Sequence, residues 1–173
     1  MSITEKPLEI REDDLSGKQT RELLRHHLAG MHAHSPPGHV FAMDFSGLKA
    51  PRITVWTAWV GPRIAGMGAL RDLRDGNGEV KSMRTHPEFL RRGVGAAVLE
   101  HIIAEARMRG MRRLSLETGR GPAFEPALAL YRKRGFIDGE PFADYARGDF
   151  SQFLHLSLTP HHDSLSVNVA SHD

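Results

Sequence analysis

The stretch from Met83 to Ala97 (Met-Arg-Thr-His-Pro-Glu-Phe-Leu-Arg-Arg-Gly-Val-Gly-Ala-Ala) carries the clearest chemical potential in the chain. A strand pattern ends there, a glycine-rich turn follows, and an amphipathic helix begins. The first N–H groups of a helix have no internal partner, and the helix dipole adds partial positive charge around them. Gly93 and Gly95 leave the backbone open to close approach, and Arg91 and Arg92 add two full charges beside it. Such a turn binds anions, phosphates above all. It is not a P-loop, because no Gly-Lys-Ser/Thr follows. Gly93-x-Gly95 with Glu117 further on partly fits a dinucleotide fingerprint. However, Val98 stands at the third glycine position, and the pattern gives one βαβ unit where a dinucleotide domain needs more. The plain structural alternative is that the two glycines only permit a tight turn.

A second motif decides between these readings. Ala127-Leu-Ala-Leu-Tyr131-Arg-Lys-Arg-Gly135-Phe136 has the form of a helix closed by glycine. Taken with Arg91-Arg92-Gly93-Val94-Gly95-Ala96, it resembles the GNAT superfamily of acetyltransferases, over roughly Ile53 to Leu158. Three positions depart from the common pattern: Leu90 stands where Gln or Arg is frequent, Arg91 where glycine is common, and Phe124 where Asn is frequent.

The resemblance implies a mixed α/β single domain, with a mainly antiparallel sheet, a central βαβ unit and helices on both faces. It implies that the strands holding Met83–Thr85 and Leu114–Thr118 splay apart around acetyl-CoA, the acetyl donor. Backbone groups of Met83 and Thr85 would pair with the pantetheine arm. The N–H groups of Gly93, Val94, Gly95 and Ala96 would hold the pyrophosphate, assisted by Arg91 and Arg92. A backbone N–H near Met83 would stabilise the oxyanion, a contribution of about 3 kcal/mol. Tyr131 would protonate the departing thiolate; a packed aromatic beside Leu128 is the structural alternative. An alkyl amine, with a pKa near about 10, must lose a proton before it attacks. Glu79, at the start of the cofactor strand, is the first candidate to remove it, and Glu117 on the neighbouring strand is the rival. The implied activity is transfer of an acetyl group to an amine of a small-molecule acceptor by direct attack in a ternary complex. The alternative is a non-catalytic acyl-CoA-binding module. Homodimers are common among similar proteins.

His26, His27, His32, His34 and His39 crowd the first helix and the loop after it. A metal site needs three or four convergent ligands, and His32-x-His34 fixes only one pair, so solvated histidines and no metal are expected. That loop would lie over the acceptor in such a fold, which makes His32 and His34 candidate substrate contacts, with Asp144 and Tyr145 between the last strands. Trp56 and Trp59 read as core.

The elements that must position these residues follow from the apolar period. Leu8 to Arg11 reads as a short strand and Ser16 to about His32 as a helix, stopped by Ser35-Pro36-Pro37-Gly38. A loop runs to about Pro51. Arg52–Val60, Arg63–Leu73 and Glu79–Thr85 form an antiparallel meander with turns at Gly61-Pro62 and Asp75–Gly78. Val94–Arg109 is a helix, Arg113–Thr118 a strand parallel to the one before it, and Pro122–Arg134 a second helix. One or two short strands end at Leu158. The domain spans 1–158, and 159–173, with Pro160 and His161-His162, reads as a disordered tail.

At 173 residues the chain suits one core. With no cysteine, it has no disulfide, thiolate metal site or cysteine nucleophile. A net charge of +2, with arginines spread along the chain, gives no case for nucleic acid. No apolar run reaches the roughly 18 residues of a membrane span, and no secretory pattern opens the chain, so a cytoplasmic location is expected.

Overall fold

A computed structural model describes residues 6–159; the expected tail lies outside the described residues apart from Thr159. Seven strands form one sheet in the order β1-β2-β3-β4-β5-β7-β6. These are β1 (Leu8–Glu12), β2 (Ile53–Val60), β3 (Arg63–Arg74), β4 (Asn77–Thr85), β5 (Arg113–Thr118), β6 (Ile137–Asp138) and β7 (Gln152–Ser157). Every pairing is antiparallel except β4 with β5. The one parallel pair is joined by helix α3 (Val94–Met108), as a βαβ crossover requires.

Two apolar clusters sandwich the sheet. On one face, Val94, Val98, Leu99, Ile102 and Ile103 of α3 pack with Leu128 and Tyr131 of α4 (Glu125–Arg134) against Val80, Leu114 and Leu116. On the other, Leu23 and Leu24 of α1 (Lys18–His34) and Leu48 of α2 (Phe45–Leu48) cover Val55, Ile64, Met67 and Ala69. The sheet is mixed, mainly antiparallel and covered by helices on both faces, as expected.

Three local differences from the sequence reading have physical causes. The segment before Pro51 contains α2, nucleated when Asp44 accepts a hydrogen bond from the Gly47 N–H at 2.9 Å. The helix expected from Pro122 begins with a 3-10 turn, Pro122–Phe124, and becomes α-helical only at Glu125. Trp56 is core, but Trp59 is half-buried, with Arg11 lying 5.2 Å over its ring. Among the described residues no helix is long and apolar enough to cross a membrane.

Candidate active site

Strand β4 supplies the centre of the site, and its register is irregular there. Met67 pairs with Arg84 and Ala69 with Lys81, so Gly68 alone faces both Ser82 and Met83. This is a β-bulge, and Ser82 takes φ +56, a strained value for a residue with a side chain. Cross-strand partners share a face. Met67 and Ala69 belong to the cluster under α1, so Arg84 and Lys81 point to that side too, as does Glu79 opposite Arg71. Simple alternation would put residues 79 and 84 on opposite faces. The bulge flips the phase, so Glu79, Lys81 and Arg84 all face α1. Met83 goes to the α3 side, where a Cβ on Gly68 would meet its sulfur at 2.6 Å and Val98 at 2.8 Å. Thr85 follows it, its hydroxyl beside Gly95.

Strands β4 and β5 pair only over Asn77–Glu79 with Arg113–Ser115, then separate. The edge of β4 from Val80 to Thr85 is left without a strand partner, and Ser82 and Met83 also stand outside the β3 ladder. A cavity of about 300 Å³ opens at this divergence. His26, His27, Gly30, Met31 and His34 of α1, with Phe41 and Ala42 of the following loop, form one wall. Glu79 to Arg84, Glu117, Thr118, Phe124 and Tyr131 form the rest.

Tyr131 is buried in the wall, its ring 5.8 Å from that of Phe136. Its hydroxyl has no hydrogen-bond partner among the described residues, yet it is not sealed in. Burial pushes its pKa up, so the phenol holds its proton at neutral pH. Burial also pushes the Glu117 carboxyl up to about 7, with Ser151 and Lys81 opposing the rise and Glu79 adding to it. Glu79 has no exposed surface. Its Oε2 accepts from the Tyr145 hydroxyl at 2.6 Å and lies 3.4 Å from Lys81 Nζ. Its Oε1 lies 3.7 Å from an Arg71 guanidinium nitrogen and has no hydrogen-bond partner.

Beyond the end of β4, Gly93 caps α3 with φ +77 and no side-chain cap. The first helical bond runs from Ala97 N–H to Gly93 O at 3.0 Å, leaving the N–H groups of Val94, Gly95 and Ala96 without acceptors among the described residues. Arg91 and Arg92 are exposed beside them, Arg92 lying 5.4 Å over the Phe89 ring.

The structure therefore brings Met83, Glu79, Glu117 and Tyr131 to one cavity, with the amides of 94–96 on the next element. Of the expected acceptor contacts, His34 lines the cavity and Tyr145 reaches it through Glu79. His32 is exposed and does not line it, because His26, Gly30 and His34 occupy the inward side of α1. Asp144 is exposed over separate hollows outside β4, so it too lies away from this cavity. His27, expected to be solvated, is instead buried, because α1 turns it onto the sheet against Arg84; sequence reasoning gave no role to Lys81, Ser82 or Arg84. The signal available was the alternation of β4, where charged Arg84 falls between Met83 and Thr85; only the bulge explains it. Among the described residues no three His, Asp or Glu side chains converge as for a metal ion.

Residues 18–136 match the Acetyltransferase (GNAT) family. The chain belongs to that family. It is 48% identical over 151 residues to YsnE of Bacillus subtilis, named an uncharacterized N-acetyltransferase, covering 87% of this chain and 100% of that one. It is 38% identical over 117 residues to an IAA acetyltransferase of Azospirillum brasilense, covering 67% of this chain and 75% of the other. Among solved structures, the ribosomal-protein-S18-alanine N-acetyltransferase of Escherichia coli shares the fold at TM-score 0.66 and 20% identity, over 92% of this chain and 99% of that one. A Bacillus subtilis acetyltransferase in complex with CoA does so at TM-score 0.63 and 21% identity, over 88% and 100%. In this GNAT chain, the open edge of β4 lines the cavity, and Gly95 of α3 stands beside Thr85 at the end of that strand.

Proposed function

We propose that this protein moves the acetyl group of acetyl-CoA to the amine of a small acceptor, by direct attack in a ternary complex. The residues present suit coenzyme A. Three helix-terminal amides without acceptors, two exposed arginines and an unpaired strand edge offer donors to a diphosphate and a pantetheine arm. When bound, acetyl-CoA supplies an activated acetyl thioester. Val94, Gly95, Ala96 and the arginines would hold its diphosphate, and the backbone of Met83 and Thr85 its pantetheine amides. The bulge frees backbone groups of Ser82 and Met83, and an N–H there would stabilise developing negative charge on the acetyl oxygen.

The proton steps fall to two side chains. Glu117, shifted to about 7, can take a proton from the acceptor nitrogen near neutral pH. Glu79, first choice on sequence grounds, is already engaged by Tyr145 and Lys81, so we assign it to holding the site rather than to the base. Tyr131 carries the proton to be given to the departing sulfur. The single observation that carries the reading is the unpartnered hydroxyl of buried Tyr131 in the same cavity as Glu117.

The test is release of free thiol from acetyl-CoA over a panel of small amines, run beside thermal shift with CoA. Thiol release with at least one amine is expected. Stabilisation by CoA with no thiol release from any amine would make the protein a binding module instead.

A further inference from the structure

The Lys and Arg cations around the cavity floor are paired with carboxylate, with one exception. Lys81 and Arg71 lie 3.4 and 3.7 Å from Glu79. Arg84 forms no ion pair among the described residues, although it is half-buried and lines the cavity. What holds it is an imidazole: Arg84 Nε donates to Nδ1 of buried His27 at 2.9 Å. A guanidinium cannot accept, so Nδ1 must be unprotonated. Burial, with the Arg84 charge, depresses His27 to about 3, so this partner stays neutral. A carboxylate there would cancel the charge of Arg84; a neutral ring orients the guanidinium and leaves its charge unspent. Gly30 makes room for it, since a Cβ there would lie 3.2 Å from Arg84 Nη2. Both Nη groups lack hydrogen-bond partners among the described residues, and neither is sealed from solvent.

We propose that Arg84 determines specificity by binding a carboxylate of the acceptor, so that the acceptor is an amino acid in the broad sense, a small molecule bearing both amine and carboxylate. This rests on the N-acetyltransferase reading above. The two free nitrogens of a guanidinium match the two oxygens of a carboxylate. The opposite pole is present as well. Glu117 lines the same cavity, and Glu79 keeps a buried Oε1 with no hydrogen-bond partner. Arg84 and Glu117, with the paired Glu79 and Lys81 beside them, line about 300 Å³ and complement a small zwitterion. A dianionic phosphate fits less well, because the one cation not already paired with carboxylate would face it while Glu117 repelled it.

The test pairs α-, β- and γ-amino acids with their carboxamides, measured by thiol release and by calorimetry in the presence of CoA. Wild type is expected to prefer the acid of the best pair by about 10–100-fold in kcat/KM, the range for hydrogen bonds to a charged group. Arg84→Gln should abolish that preference by weakening use of the acid while leaving the amide within about threefold. Arg84→Lys, which keeps charge without the fork, should retain part of it and guards against a folding defect in the first variant. Equal use of acid and amide by wild type, or equal loss of both in Arg84→Gln, overturns the proposal. Calorimetry separates the two readings. Acids bound without turnover, with binding lost in Arg84→Gln, would sink the transferase reading and keep this one. Turnover of amines without acid preference would do the reverse. The absence of both acid binding and acid preference overturns this proposal outright.

Discussion

The two faces of β4 are built on different principles. On the α3 face, recognition uses backbone: Gly93 in a left-handed conformation, three amides without acceptors, and an unpaired strand edge. On the α1 face it uses side chains, and nearly every one depends on a partner far away in sequence. Tyr145 reaches Glu79 across 66 positions and His27 holds Arg84 across 57. A backbone site needs only local conformation, whereas a charged side-chain site must have its desolvation offset by neighbours. The first face suits a donor shared by many enzymes, and the second an acceptor peculiar to this one.

This contrast can be broken by substitutions that should act on one function alone. The largest effect is expected at Tyr131, between the two faces. Tyr131→Phe should lower kcat about 10²–10³-fold, within the range for general acid catalysis. Its affinity for CoA by calorimetry should stay within about threefold, since the hydroxyl has no hydrogen bond among the described residues to lose. Matched losses in kcat and CoA affinity would remove the acid role.

Glu117→Gln comes next, with turnover at pH 7 down about 10–100-fold. In wild type, kcat/KM should rise with pH through about 7 as this carboxyl ionises, and the variant should lose that limb. The same shift has a stability consequence of known sign. Its folded-state value lies above the ordinary 4.5, so the folded protein binds the extra proton between 4.5 and about 7. The contribution to stability is complete below that window and lost as pH rises through it. A thermal melt of Glu117→Gln should therefore fall less between pH 5 and pH 7 than that of wild type, by roughly the shift in proton uptake. A parallel fall in both would assign the acid limb to another group.

Gly93→Ala addresses the backbone face alone. A β-carbon at φ +77 costs about 1–2 kcal/mol in the left-handed region, although no neighbouring atom obstructs it. CoA affinity should drop about tenfold, with turnover at saturating acetyl-CoA near wild type. The smallest effect is expected for Arg92→Ala. Its guanidinium is exposed and already rests on Phe89, so CoA affinity should weaken about two- to fivefold at low salt and less at high salt. A larger, salt-independent loss would mean that the side chain is ordered by the ligand.

Much of the fold was legible in the sequence because its cues are local. Gly61-Pro62 and Asp75–Gly78 mark the turns of the meander, and Gly110 and Gly135 close the two later helices. Helix α2 was missed because four residues carry no period, and its only cue is the single cap at Asp44. The cofactor segment was legible for the same reason as the turns. The acceptor side was legible only in part: the histidines of α1 drew attention as a group, but which of them face inward depends on how the helix is rotated against the sheet. His27 is buried and His32 exposed.

The order of the elements other than α2, the family and the bare amides at Gly93 were in the sequence itself, since glycine placement and apolar period act over a few residues. What only the tertiary structure decided is the face on which each charge of β4 stands. One extra residue at Ser82, opposite Gly68, reverses the alternation and turns Arg84 toward α1. A bulge is a relation between two strands, and here it sends Met83 to the cluster under α3 and Arg84 to His27. No reading of one strand by itself contains it.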